Sequence, residues 1–522
     1  MNTAWNLVTG TLTKYALLGV NIALGVFLMP FTVRHLGTSE YGLWMLVASM
    51  TYYFQLLDLG YGNGLVRQIS DADARGDVAE MNRALSTFAI VYAVIGAITA
   101  AGVLVIIFGI IPRFPNLTPD QIRRAQLVLA IIGVRLAVGF PMTVFGAATT
   151  ARQRFALNNA VAIVVALVNG AVTYVVLTSG HGLVALVACT TIVSLASYAA
   201  YAWTAKQAFA ELRIRASAFT PRLVREVTAF SIYVFMLDVG LYVCFSLDNL
   251  VLGAFVGTSA VAVYTVAVRL AEYQRLLSSQ FNGLIFPVVV RYEAGGRTDA
   301  VRAMLIDGTR IALTLVVGVT ICLLGFASPL IVRWMGPGFA GSVMPLYFLA
   351  VAGVVLSAQG PVSNVLLGTG RHRLVAWTTV GEAAANLALS IVLVRRYGMW
   401  GVAAGTAIPV VAANFLVTFP AGCRQVDLSL RTFIRLIGRP ALVGAIPALA
   451  ACIALRLAMP PESIQMVIAE GCVVGLVYMT AAVMLGLDEE VRERYLEHVR
   501  RLLDNWRTTR ATLARRAVIV DQ

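Results

Sequence analysis

Apolar stretches with few charges follow one another from end to end of this sequence, and each has the length of about twenty residues that a helix needs to cross the hydrocarbon of a bilayer. About fourteen can be drawn, at 12–33, 41–66, 84–111, 125–148, 157–178, 182–204, 226–252, 258–290, 303–327, 343–368, 374–394, 400–422, 437–458 and 464–487. With their short connections they use up nearly all of the 522 residues, so little is left for a water-soluble domain. The residues are 59% hydrophobic and only 13% charged, about half the charge of an average soluble protein. A net charge of +14 could suggest a nucleic-acid partner, but such a surface needs an aqueous face that this composition does not supply. Nucleic acid is therefore not expected.

The excess charge reads as topology, because loops facing the cytoplasm are enriched in Lys and Arg. Of the 40 basic residues, 28 fall in one set of alternate connections and the tail, among them Lys14, Arg152, Arg154, Arg371, Arg435 and Arg439. Only 8 fall in the other set, such as Arg34, Arg113, Arg333 and Arg456. Both termini are thus expected in the cytoplasm. The first span has one cation, Lys14, at its start and no small-residue cleavage site, so it is expected to stay. The six cysteines fall singly in or at the ends of apolar segments, which gives neither a disulfide framework nor a zinc spacing and points to small core residues.

Sliding the chain against itself reveals a repeat. Gly37-Thr38-Ser39 recurs as Gly257-Thr258-Ser259, and Asn63-Gly64-Leu65 as Asn282-Gly283-Leu284. The offset of the second match, one residue shorter than that of the first, also carries Arg152 and Arg154 onto Arg371 and Arg373, and Gly182 and Ala185 onto Gly401 and Ala404. The expected organisation is a six-helix lobe over 1–215, a second over 216–428, two further helices over 429–487, and a basic amphipathic tail over 488–522 that lies on the cytoplasmic leaflet. Because six is even, both lobes enter from the same side and should be related by an axis along the membrane normal. Gly37 and Gly257 begin turns, while Gly60, Gly62 and Gly64 would let a helix bend or a neighbour come close.

Two copies of six helices plus two resemble the multidrug/oligosaccharidyl-lipid/polysaccharide exporter superfamily, and more narrowly its polysaccharide branch, the Wzx-type flippases of lipid-linked oligosaccharides. The likeness rests on RHLGTSEYGLW (Arg34 to Trp44), LLDLGYGNGLVRQIS (Leu56 to Ser70) and DNLVLGAFVGTSAVAVYTVAVRLAE (Asp248 to Glu272). The last is similar to the family pattern of an aspartate, an apolar run, a glycine turn and a tyrosine that opens helix eight. The resemblance implies a bacterial inner-membrane protein that flips a polyprenyl-pyrophosphate-linked oligosaccharide repeat unit by alternating access, for O-antigen (lipopolysaccharide), capsule or exopolysaccharide synthesis. It also implies a cavity lined by helices one, two, seven and eight, and a polymerase and a chain-length regulator as companions. The expected working unit is a monomer.

Ionisable groups inside spans are expensive, about 2.5 to 3.5 kcal/mol each on insertion scales, and are functional-site candidates by default. Arg135, Arg269 and Arg275 are candidates to hold the pyrophosphate, with Lys14 beside them, because guanidinium donors fit phosphate and stay charged. The competing reading is that Arg269, Glu272 and Arg275 neutralise one another along helix eight. Asp58, Asp238 and Glu272 are candidates for proton or sodium coupling, or else carboxylates that pair an Arg. Asn21, Tyr242, Tyr273 and Gln280 would supply polar lining, with Asn21 on the face of Lys14. Glu382 and Glu470 read as interfacial or packing residues, and Arg310 is a fourth intramembrane cation.

Enzymatic readings fare poorly. Neither Lys14 nor Lys206 sits in a phosphate-binding GxxxxGK[ST] loop, and the four histidines are scattered, which leaves no metal cluster or cofactor site to expect. A lipid II flippase or a cation-coupled multidrug exporter of the same superfamily remains an alternative, separable by the sign of the charges lining its path. A membrane-embedded sugar transferase or ligase would need a larger outer loop than 112–124 or 328–342.

Overall fold

The computed structural model describes residues 3–228, 247–489, 491–493 and 497. Among them there is no β-strand, and the chain is a succession of helices. These are α1 (Thr3–Leu36), α2 (Thr38–Tyr52), α3 (Tyr61–Ala74), α4 (Val78–Val105), α5 (Pro119–Ala151), α6 (Phe155–Thr178) and α7 (Leu183–Ala208). They continue with α8 (Thr258–Ala294), α9 (Thr298–Met335), α10 (Val343–Gly368), α11 (His372–Ala413), α12 (Phe419–Gln425), α13 (Leu430–Ala458) and α14 (Ile464–Met484). Residues 221–228 and 247–255 are also helical.

Among the described residues, 10 helical stretches are long and apolar enough to cross a membrane, so the chain is a multi-pass membrane protein. One of these, His372–Gln425, has 54 residues. At 1.5 Å per residue it would reach about 80 Å, far beyond a hydrocarbon layer of about 30 Å. Gly398, at φ 57° and ψ −133°, breaks it into two lengths that each suit a single pass.

The expected continuous span at 41–66 is broken. The α2 helix stops at Tyr52, a 3-10 helix covers Tyr53–Asp58, and Leu59 (φ 50°) and Gly60 (φ 73°) both turn left-handed before α3 begins. A left-handed Leu costs roughly 1–2 kcal/mol, and Asp58 offsets part of this. Its Oδ2 accepts the Gly62 N–H at 3.4 Å, one of the donors a helix start leaves unpaired, and its Oδ1 accepts the Tyr92 hydroxyl at 2.6 Å. Gly60 supplies the bend that glycine allows, and an acid inside an apolar run marks where it falls.

The helices form two compact units. The first comprises 1–273, 334–349 and 372–413, and the second 274–333, 350–371 and 414–522. In the first, α3, α4 and α5 bury Tyr61, Leu65, Phe88, Tyr92 and Phe140 together, and α2, α4 and α5 bury Leu43, Leu46, Val103 and Ile132. In lipid, helices associate through close van der Waals contact rather than exclusion of water, which favours small residues where they cross. A methyl group on Gly96 would strike the Ala137 carbonyl, and one on Gly42 the Thr258 carbonyl. Gly42→Ala is accordingly expected to destabilise the protein by about 1–3 kcal/mol, since rigid backbone must give way. Melting of the purified protein in detergent checks this against Gly19→Ala, whose added methyl meets nothing. Equal melting temperatures for the two variants would count against the close approach.

In the second unit, α9 packs with α13 and α14 through Ile321, Phe326, Ala448, Cys452, Val474 and Tyr478. Gln274 of α8 donates to Thr320 Oγ1 of α9 at 2.5 Å and to the Ala350 carbonyl of α10 at 3.0 Å. The cysteine expectation holds for buried Cys423 and Cys452 but not for Cys472, which is exposed on α14. Cys244 lies outside the described residues.

Candidate functional site

The turn residues come first, because they place the helices that carry the charges. Gly37 (φ 81°) and Gly257 (φ 116°) adopt the backbone that L side chains resist. Directly after them, Ser39 Oγ and Thr258 Oγ1 lie 3.3 Å apart, and the Gln121 amide donates to both, at 2.9 and 3.3 Å. This hydroxyl pair joins the start of α2 to the start of α8.

Farther along α8 stands Arg269. Its Nη1 donates to Glu272 Oε2 at 2.8 Å, with the two side chains 49% and 39% exposed. The pairing expected as the competing reading is therefore present for Arg269. Such a half-exposed pair at i, i+3 adds little stability and leaves the guanidinium accessible. Buried Tyr41 of α2 and half-buried Tyr273 of α8 lie within electrostatic range of Arg269. The Tyr273 hydroxyl rests where a side chain on Gly25 of α1 would sit, and the Trp334 indole donates to the Val26 carbonyl at 2.8 Å. Glycine at position 25 thus lets the tyrosine hydroxyl meet the α1 backbone.

Lys14 and Asn21 are both exposed on α1. Arg135 is half-buried on α5, a helix otherwise uncharged from Ala125 to Ala151. The Tyr198 hydroxyl of α7 donates to its backbone carbonyl at 3.3 Å. Among the described residues its guanidinium makes neither a hydrogen bond nor an ion pair, and none joins Arg135 to Arg269. Arg275 is half-buried, and its carbonyl accepts from Ser278 at 3.0 Å. Asp58 is committed to Tyr92 and Gly62 at the helix break described above. Asp238, Tyr242 and the side chain of Gln280 lie outside the described residues.

The structure adds a polar cluster that the sequence reading passed over. Asp248 is 5% exposed. It accepts the Tyr264 hydroxyl at 2.5 Å and the Thr406 hydroxyl at 3.0 Å, and Asn386 Nδ2 donates to Thr406 Oγ1 at 3.0 Å. One turn before Asn386 on α11, Glu382 is 5% exposed with no hydrogen-bond partner for Oε2 among the described residues. Glu382 is therefore a buried packing residue, one of the two roles expected for it. Glu470 is likewise buried, within the second unit. The signal for Asp248 was present in the sequence: an acid and a tyrosine, on either side of a glycine turn, fold back onto each other across Gly257. The hydrogen-bonding groups around Asp248 are two hydroxyls and, at one remove, an amide, and oxygen groups of this kind suit hard cations.

The family described as polysaccharide biosynthesis protein matches residues 8–293. The chain belongs to that family, the polysaccharide flippase branch of the multidrug/oligosaccharidyl-lipid/polysaccharide exporter superfamily. It is 22% identical over 502 residues to the uncharacterized membrane protein EpsK of Bacillus subtilis, an alignment covering 92% of this chain and 96% of that one. A probable low-salt glycan biosynthesis flippase of Haloferax volcanii is 24% identical over 200 residues, 37% of this chain and 42% of its own. Among solved structures, the lipid II flippase MurJ in an inward closed conformation superposes with a TM-score of 0.68 at 14% identity, covering 90% of this chain and 98% of that one. An inward-facing multidrug MATE transporter also gives 0.68 at 14% identity, covering 79% and 95%. At that identity the two structures speak for the fold alone.

Proposed function

We propose that the protein flips a polyprenyl-pyrophosphate-linked oligosaccharide across the bacterial inner membrane by alternating access, with both termini in the cytoplasm. The observation that carries this reading is an arginine, Arg135, set inside an otherwise uncharged apolar helix with no acid to balance it among the described residues. Arg135, Arg269 and Arg275 face a single nearby acid in the sequence, Glu272, and Arg135 has no acidic partner among the described residues. A pyrophosphate needs fixed cations along a polar path, because burying an unpaired ion is prohibitive. An exporter of cationic drugs would need the opposite sign. In this reading fourteen spans form two six-helix lobes, 1–215 and 216–428, followed by two helices and a leaflet-bound tail. The contact of Ser39 with Thr258 supports the repeat, since near-equivalent residues meet where a symmetry axis passes.

Coupling to a proton or sodium gradient is assigned to buried Asp248, ahead of Asp58, Asp238 and Glu272. Asp58 caps a helix and Glu272 answers an arginine, whereas Asp248 is the most enclosed of the described three and is surrounded by hydroxyl and amide groups. The decisive experiment uses proteoliposomes loaded with a polyprenyl-pyrophosphate oligosaccharide and an impermeant sugar-binding lectin outside. The expected result is protein-dependent exposure of sugar to the lectin, with no protein-dependent efflux of an ethidium-type cation. Efflux of the cation without movement of the oligosaccharide would overturn the reading in favour of a drug exporter.

A further inference from the structure

Arg310 is the intramembrane cation that the transport reading does not use. It lies on α9 and is the last charged residue before an uncharged run from Ile311 to Val332, a length that fills the hydrocarbon. Its side chain is 10% exposed, with Nη1 3.1 Å from Asp307 Oδ1 and Nε donating to the Leu436 carbonyl at 3.2 Å. Among the described residues Nη2 has no partner. Beside it, within the same unit, opens a cavity of about 250 Å³ lined by Arg310, Thr432, Arg435, Arg439, Leu487 and Asp488. Arg439 pairs with Asp488, while Arg435 has neither hydrogen bond nor ion pair among the described residues. Three guanidinium groups therefore stand against Asp307 and Asp488, which leaves a net positive pocket.

That pocket continues into an apolar one. A groove of about 120 Å³ shares Arg310, Pro440 and Leu487 with it and is otherwise walled by residues such as Ile311, Leu315, Met479 and Val483 of α9 and α14. The charges also end at one level. Arg310 precedes the run Ile311–Val332, Arg439 precedes Pro440–Leu455, and Asp488 follows the end of α14. Cations at the depth where charge gives way to hydrocarbon, opening onto an apolar groove, have the chemistry of a lipid seat: phosphate above, chains below.

We propose that Arg310, Arg435 and Arg439 hold the phosphodiester of an anionic glycerophospholipid whose acyl chains enter the groove between α9 and α14. A resident membrane lipid fits better than a transported one, because the apolar groove is small and the phosphate seat lies at a single depth. The site rests on no step of the transport reading and stands or falls by binding alone.

The test is native mass spectrometry of the purified full chain titrated with dioleoylphosphatidylglycerol or dioleoylphosphatidylcholine. Wild type should retain the anionic lipid preferentially. Arg435→Ala with Arg439→Ala, both on exposed side chains, should weaken phosphatidylglycerol binding by about 30-fold and leave phosphatidylcholine unchanged. Val483→Trp, which fills the groove and keeps every charge, should also weaken phosphatidylglycerol. Equal retention of the two lipids by wild type, or wild-type binding by both variants, would overturn the proposal. So would displacement of phosphatidylglycerol by stoichiometric undecaprenyl phosphate, which would assign the pocket to the transported lipid.

Discussion

Replacing Arg269 and Arg275 together by alanine is expected to reduce oligosaccharide export by at least about 100-fold while leaving the protein in the membrane at near-normal amount. Each guanidinium bonded to a phosphate oxygen contributes about 1.5–3 kcal/mol, so losing two removes a factor of this size from the occupancy of the path. Folding should tolerate the change. Arg269 is half-exposed and its ion pair among the described residues is with Glu272, and exposed pairs at i, i+3 contribute a few tenths of a kcal/mol. The variant with Glu272→Gln instead separates the two roles of the pair. If Arg269 exists to answer Glu272, removing the acid should be as harmful as removing the arginine. If Arg269 serves phosphate, Glu272→Gln frees its donors and export should persist. Export in cells deleted for the native gene, read beside membrane abundance, checks both outcomes, and undiminished export by the double alanine variant would remove the assignment.

Much of the architecture was legible because hydrocarbon imposes a length. The span expected at 343–368 coincides with α10, and those at 157–178 and 464–487 match α6 and α14 to within a few residues. The break inside 41–66 was legible only in part: Gly60, Gly62 and Gly64 were read as letting a helix bend or a neighbour come close, but the left-handed Leu59 was not foreseen. Apolar periodicity runs through it, and only Asp58 with three nearby glycines hinted that backbone would need a partner there. The gap drawn between 374–394 and 400–422 contains Gly398, whose non-helical backbone divides the long helix there, though the helix resumes at once. Side-chain roles were harder. The Arg269–Glu272 pair follows from spacing on one helix, whereas Asp248, Tyr264, Thr406 and Asn386 come from widely separated stretches, and only folding shows that they share one buried spot. Glu382 illustrates the same limit: its nearness to a helix end left interfacial and packing roles both open, and only the fold shows it buried.

Asp248→Asn and Asp248→Ala should part company, and their difference tests the coupling assignment. In the native protein the carboxylate accepts two hydroxyl donors, Tyr264 at 2.5 Å and Thr406 at 3.0 Å. Alanine removes the acceptor in a buried place, leaving the Tyr264 hydroxyl unsatisfied at about 1–3 kcal/mol, while Thr406 keeps the Val402 carbonyl at 3.2 Å as an acceptor. The alanine variant is therefore expected to melt well below wild type, and adding Tyr264→Phe should recover part of the loss, because one orphaned hydroxyl disappears with it. Asparagine keeps the size and one acceptor oxygen but removes the titratable charge. Its melting temperature should stay close to wild type, while the response of transport to a proton or sodium gradient should fall to the ungradiented rate. A purely structural Asp248 predicts the reverse pattern, with asparagine transporting normally under a gradient and alanine impaired only in proportion to its lost stability. The two readings thus separate on one protein preparation, by comparing melting temperature with gradient-driven flipping in the same proteoliposomes. The outcome also fixes where the energy enters. Phosphate-holding arginines can bias which side the headgroup occupies, but only a group that binds an ion differently in two conformations can draw work from a gradient.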